Sequence, residues 1–124
     1  MARILVVDDD VQMRRLLREA LTRARHTVDE AVDGLHALSR FAESHPDLVI
    51  VDLIMPEREG IETIQALRRG SPALPIIAIS GGGRSSPESY LSIAIGVGAN
   101  RAYRKPFRLE DILAAVNDLT APVA

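Results

Sequence analysis

Three short aliphatic runs, Ile4-Leu5-Val6-Val7, Leu48-Val49-Ile50-Val51 and Ile76-Ile77-Ala78-Ile79, each stop at a polar or glycine-rich turn. No polar residue interrupts them, so both faces of each segment need cover, which is the pattern of buried parallel strands. Parallel neighbours require crossover connections, and the residues between the runs supply them. Met13, Leu16, Leu17, Ala20, Leu21 and Ala24 recur at helical spacing on one face, and Leu35, Leu38, Phe41 and Ala42 on a second, shorter one. Thr27 to Ala31 alternates between these helices as a strand of weaker pattern, with Asp33-Gly34 as the turn that follows. Gly60 to Arg69 carries Ile61, Ile64, Leu67 and Arg68 at helical spacing and stops at Gly70-Ser71-Pro72. Ser86-Pro87 reads as the cap and first-turn proline of a fourth helix, Arg101 to Arg104 as a short fifth strand, and Leu109, Ile112, Leu113 and Val116 as the face of a closing helix. Strand and helix alternate five times. That rhythm defines an α/β domain with a doubly wound parallel sheet covered on both faces.

The 124 residues and 47% hydrophobic content suit one globular domain of this kind. Fifteen basic residues against 17 acidic ones leave a net charge of -2, and only Phe41, Tyr90, Tyr103 and Phe107 are aromatic. Direct nucleic-acid binding is therefore not expected. Cysteine is absent, which removes disulfides, thiolate metal sites and cysteine nucleophiles and leaves the chemistry to carboxylates, hydroxyls and lysine. The apolar runs are far below the ~20 residues of a membrane-spanning helix, so no membrane insertion is expected. Asp8, Asp9 and Asp10 follow Met1-Ala2-Arg3 too closely for a secretory core, and the expected location is cytoplasmic.

In doubly wound sheets ligands collect at the carboxyl ends of the strands, near the switch point of the strand order. Here the first strand empties into Asp8, Asp9 and Asp10, the third into Asp52, the fourth into Ser80, and the fifth into Arg104-Lys105-Pro106. Clustered carboxylates are hard oxygen donors that suit Mg2+. Lysine and a serine hydroxyl neutralise and orient phosphoryl oxygens. Singly, each residue has an ordinary role: Asp9 or Asp10 as the cap of the first helix, Asp52 as a strand-end acid, Ser80 as a turn residue, Lys105 as a solvated lysine. Together at one edge they point to a shared phosphoryl or metal site, with Asp52 as candidate nucleophile.

Over nearly its whole length the chain resembles the receiver domain of bacterial two-component response regulators, in its stand-alone, chemotaxis-regulator-like form. The matching pieces are Ile4 to Asp10, Val51-Asp52-Leu53-Ile54-Met55-Pro56 with Gly60, Ile79-Ser80-Gly81, Gly98-Ala99 and Lys105-Pro106-Phe107. The resemblance implies a flavodoxin-like (βα)5 three-layer sandwich with strand order 2-1-3-4-5. It implies that Asp52 accepts a phosphoryl group from a phosphohistidine donor, a sensor histidine kinase or a histidine phosphotransfer protein. Mg2+ would be held by Asp8, Asp9, Asp52 and the main-chain carbonyl of Ile54, Asp8 acting through metal-bound water. Ser80 and Lys105 would each take a phosphoryl oxygen, and the Lys105-Pro106 bond would be cis. Residues 1–120 would form the receiver domain and 121–124 a short tail, with no output domain. Such a protein is a phospho-acceptor that assists its own phosphorylation and dephosphorylation, and not an enzyme acting on other substrates.

Three positions depart from the family pattern. Ala102 stands where an aromatic ring commonly turns inward upon activation, and strand alternation aims Tyr103 at the opposite face. Gly81-Gly82-Gly83 and Arg84-Ser85-Ser86 make a long connection that lacks the Gly-Lys-Ser/Thr of a phosphate-cradling loop and reads as flexible. Ile54 replaces a commonly polar side chain. Arg14, Arg15, Arg18, Arg23 and Arg25 give the first helix a basic face that is either solvated or a docking surface. Tyr90, Leu91, Ile93, Ala94, Ile95 and Val97 load the fourth helix with more apolar residues than one face needs, which suggests a partner surface formed with the fifth strand and helix. His26, His36 and His45 lack metal-ligand spacing and read as exposed or satisfied. The competing reading is a receiver fold that binds partners without phosphorylation, favoured by Ala102. An aspartyl-phosphate phosphatase would want a second acid at position 54, and a flavin carrier would not place three acids after its first strand.

Overall fold

The computed structural model describes residues 1–53, 57–80 and 87–121, with side chains from Glu59 onward in the third helix and from Leu91 onward in the fourth. Ten elements alternate: β1 (Arg3–Val7), α1 (Val11–Arg23), β2 (Thr27–Ala31), α2 (Gly34–Ser44), β3 (Leu48–Asp52), α3 (Glu57–Gly70), β4 (Ile76–Ser80), α4 (Pro87–Val97), β5 (Arg101–Arg104) and α5 (Leu109–Thr120). The strands pair in parallel in the order β2-β1-β3-β4-β5, the flavodoxin-like arrangement that the family resemblance implies. Ile54, the connection 81–86, the side chain of Tyr90 and residues 122–124 lie outside the described residues.

Alternation along each strand splits the core into two layers. Leu5, Val7, Val49, Val51, Ile76 and Ala78 pack with Ala37, Ile64, Leu67 and Ala94 of α2, α3 and α4. Ile4, Val6, Leu48, Ile50, Ile77 and Ile79 point the other way, onto Leu17, Leu21, Ile112, Ala115 and Val116 of α1 and α5. The weak signal of β2 follows from its place at the edge, where Asp29 and Glu30 are only half-buried. β5, at the other edge, has no fully buried residue. Ala102 contributes to the first layer and Tyr103 to the second, the alternation expected of them.

The helix faces differ from the sequence expectation in two places. In α1, Leu17 and Leu21 are buried but Leu16 is exposed. In α2 the core face is Gly34, Ala37 and Phe41, while Leu35 is 77% exposed and Leu38 is also exposed. Close approach explains the reversal. A Cβ on Gly34 would collide with Thr63 Oγ1 of α3, so the contact requires the small residues inward and turns the leucines out. Asp33 and Gly34, expected as a turn, are the N-cap and first residue of α2. The Asp33 side chain accepts from the His36 N–H, and Glu59 of α3 accepts from the Gly34 N–H, both at 2.7 Å. α3 begins at Glu57, three residues ahead of the expected Gly60.

Candidate functional site

Strand register sets the site. Val7 lies opposite Val51 and Asp52 opposite Ile79, so Asp8 and Asp52 leave adjacent strands at the same edge of the sheet. β1 and β3 flank the switch point, because the chain runs outward from β1 to β2 in one direction and from β3 to β5 in the other. Ser80 lies opposite Arg104, and the Lys105 N–H donates to the Ser80 carbonyl at 2.7 Å, which brings the lysine to the same rim. The Leu53 N–H donates to the Ile79 carbonyl at 2.8 Å, holding the chain just beyond Asp52 against β4. Gly60 then passes so near that a Cβ would stand 2.8 Å from Leu53 Cα. Glycine at that position lets α3 begin directly behind the acid.

Asp8 and Asp52 are 1% and 2% exposed, Ser80 is buried, and the Lys105 Nζ lies 2.9 Å from Asp52 Oδ2. The Asp8 carboxyl is pushed up to about 7 by its burial, opposed by the Asp10 N–H, and raised further by the charge of Asp52 and a hydrogen bond shared with it. Lys105 acts in the opposite direction on the same group. Two buried carboxyl groups thus meet beside a lysine, and burial favours the protonated form of Asp8. Asp9 is exposed at the rim, and Asp10 serves as the N-cap of α1, its Oδ1 accepting from the Gln12 N–H at 2.9 Å. The Lys105-Pro106 bond is cis.

The donor set suits a hard divalent cation. Mg2+ keeps several waters and usually takes one or two carboxylates, and a cation there would favour the ionised form of Asp8 that burial opposes. Among the described residues no three acid or histidine side chains converge as a ready-made metal cluster, so the buried pair would provide the protein ligands with Asp9 at the margin. Ile54, whose carbonyl belongs to the expected set, is outside the described residues.

The basic face expected on α1 is partly spent on the fold. Arg14 Nε and Arg18 Nη1 bind the two oxygens of Glu30 at 3.0 and 2.6 Å, while Arg15, Arg23 and Arg25 remain exposed. Glu30 had no signal in the sequence beyond a polar residue in a strand. His26, expected to be exposed or satisfied, is neither: it is buried, its Nδ1 accepts from the Ala2 N–H at 3.1 Å, and its Nε2 has no hydrogen-bond partner among the described residues. His36 Nδ1 accepts from the Val32 N–H, and His45 is the exposed, left-handed C-cap of α2. Ile93 and Ile95 of α4 are exposed as anticipated, while Ala94 is buried. No helix among the described residues is long and apolar enough to cross a membrane.

The sheet order and the acids at its switch point define a flavodoxin-like α/β domain with a carboxylate–lysine site. The chain belongs to the response regulator receiver domain family, which matches residues 4–117. It is a receiver domain of the bacterial two-component type, a signalling domain and not a classical enzyme. A curated relative, response regulator MprA of Mycobacterium sp. (strain KMS), is 38% identical over 117 residues, covering 94% of this chain and 50% of the relative. The chain thus spans about half the length of the curated relatives it matches. The receiver domain of NtrX from Brucella abortus superposes with a TM-score of 0.86 at 29% identity, covering 97% of this chain and 99% of that one. Chemotaxis protein CheY4 of Vibrio cholerae gives a TM-score of 0.83 at 31% identity, covering 96% and 98%.

Proposed function

We propose that this receiver domain is a phosphorylation switch in which Asp52 is the phospho-acceptor. The observation that carries this reading is the buried Asp8–Asp52 pair with the Lys105 Nζ 2.9 Å from Asp52 Oδ2. The donor is a phosphohistidine on a sensor histidine kinase or histidine phosphotransfer protein. An Asp52 carboxylate oxygen attacks phosphorus as the phosphorus–nitrogen bond breaks. The imidazole leaves with the electron pair and takes up a proton, and an acyl phosphate remains on Asp52. Asp8, Asp9, Asp52 and the Ile54 carbonyl would hold Mg2+, which when bound supplies charge neutralisation for the phosphoryl oxygens. Lys105 turns from the Asp52 carboxylate to a phosphoryl oxygen, and Ser80 donates its hydroxyl to another. These residues assist the domain's own phosphorylation and dephosphorylation. The proposed setting is the cytoplasm.

The output is altered binding of a downstream protein at α4, β5 and α5. Ala102 lines a shallow groove there with Leu91, Ser92 and Ile95, and no aromatic ring occupies its position. That observation favours the second reading, a module that binds partners without phosphorylation. Intact mass after incubation with Mg2+ and a small acyl phosphate separates the two. The switch predicts the gain of one phosphoryl group, lost in Asp52→Asn. Absence of uptake together with absence of beryllofluoride binding would overturn the switch and favour the phosphorylation-independent module.

A further inference from the structure

Arg14 lies one turn inside α1, and its side chain is only 14% exposed. Its guanidinium binds two different parts of the molecule: Nη1 donates to the main-chain carbonyl of Asp8 at 2.9 Å, and Nε donates to Glu30 Oε1 of β2 at 3.0 Å. Glu30 is fixed in turn, because its second oxygen accepts from Arg18 Nη1 at 2.6 Å. The Asp8 carbonyl belongs to the peptide that joins Asp8 to Asp9. Peptide planes are rigid, so a fixed oxygen fixes the plane and the directions in which both residues leave it. The Asp8 N–H is held by the Ala31 carbonyl at 3.1 Å, and Asp8 Oδ1 accepts from the Asp10 N–H at 2.9 Å. Every hydrogen-bonding group of the Asp8 main chain is therefore tied to β2, directly or through the arginine.

We propose that Arg14 is a positioning residue for cation binding: anchored on Glu30, it orients the Asp8–Asp9 peptide so that the acids present their oxygens to a divalent ion. This rests on the reading that those acids bind Mg2+. Geometry and charge predict opposite signs, which makes the proposal testable. A guanidinium beside a cation site repels the cation, so if charge alone mattered its removal would tighten binding. If positioning matters, removal loosens it.

Calorimetric titration of the metal-free protein with Mg2+ decides between them, using wild type, Arg14→Gln, Arg14→Lys and Arg15→Gln, with circular dichroism to verify folding. Arg14→Gln is expected to weaken Mg2+ binding about tenfold or more, the usual cost of losing a group that orients a ligand. Arg14→Lys keeps the charge but cannot hold both partners at once, so it is expected to weaken binding as well; it carries the test if the glutamine variant does not fold. Arg15→Gln removes an exposed charge from the same helix and should stay within about twofold of wild type because solvent and salt screen it. Unchanged or tighter binding in both Arg14 variants overturns the proposal and leaves the phosphorylation reading in place. A wild-type protein that binds no Mg2+ overturns that reading, and the proposal with it.

Discussion

Asp8 is buried against Asp52 with its carboxyl raised to about 7, and this makes the domain's stability depend on pH in a direction opposite to that of a salt-bridged acid. The folded state binds a proton at Asp8 over a range in which the unfolded chain, near the ordinary value of 3.8, has already lost it. This contribution is full below about pH 4 and is lost as pH rises through about 7, so metal-free protein should lose stability across that interval. Asp8→Asn should flatten the slope, and urea midpoints measured from pH 5 to 8 check it. Mg2+ competes with the same proton, so its affinity should rise over that pH range in wild type. At this scale the placement of Asp8, Asp9, Asp52, Ser80 and Lys105 at one edge of the sheet was legible because they end or follow recognisable strands. Which acid would be buried and which would cap α1 was not, since Asp8, Asp9 and Asp10 are chemically identical and differ only in the turn. Nor was the Arg14–Glu30 pair: its members are 16 residues apart on different elements, and helical or strand periodicity carries no trace of such a partnership.

The α2–α3 contact shows why element positions were easier to read than element faces. Pattern analysis assigns the largest apolar residues to the core, which holds where a helix sits at an ordinary distance. α2 sits closer to α3 than that, and Gly34 faces Thr63 while Leu35 faces solvent. Gly34→Ala should therefore destabilise by about 1–3 kcal/mol through overpacking. Combining it with Thr63→Ala should recover part of that loss, a coupling that a double-mutant cycle of denaturation midpoints would measure. Leu35→Gln should change stability by less than about 0.5 kcal/mol, as substitutions at open surface positions do. At the other end of α3, Arg68 donates to the carbonyls of Gly98, Ser71 and Pro72 and to Asn100 Oδ1, which also accepts from the Ile76 N–H. Gly98 has φ 128° and a Cβ there would stand 2.9 Å from Arg68 Nε. Gly98→Ala should cost about 1–3 kcal/mol from strain alone, read as a lowered melting temperature. Gly98-Ala99 is visible in the sequence as a family motif, but nothing in the spacing of Arg68 on its helical face marks it as the neighbour that requires the glycine.

On the scale of the whole molecule, stability is concentrated in the middle of the sheet. β1, β3 and β4 each have two hydrogen-bonded neighbours and layers on both faces, whereas β2 and β5 are edges with half-buried residues. Native-state amide exchange should be slowest in β1, β3 and β4 and faster in β2 and β5. Leu21→Ala, in the layer under α1, should cost about 2–5 kcal/mol. The doubly wound class was legible because five alternations of buried strand and amphipathic helix admit few topologies, while the strand order came from the family resemblance. The Arg68 cluster has a mechanical meaning as well. It ties the C-terminal end of α4 to α3 through Gly98, at the end of the sheet away from Asp52, so a tilt of α4 would pivot near Gly98. Eleven residues of helix make an arm of about 16 Å, and a tilt of about 10° would carry its far end roughly 3 Å while the pinned end hardly moves. Such a tilt would be graded along α4, greatest beside the Asp52 rim and smallest at the opposite end of the domain.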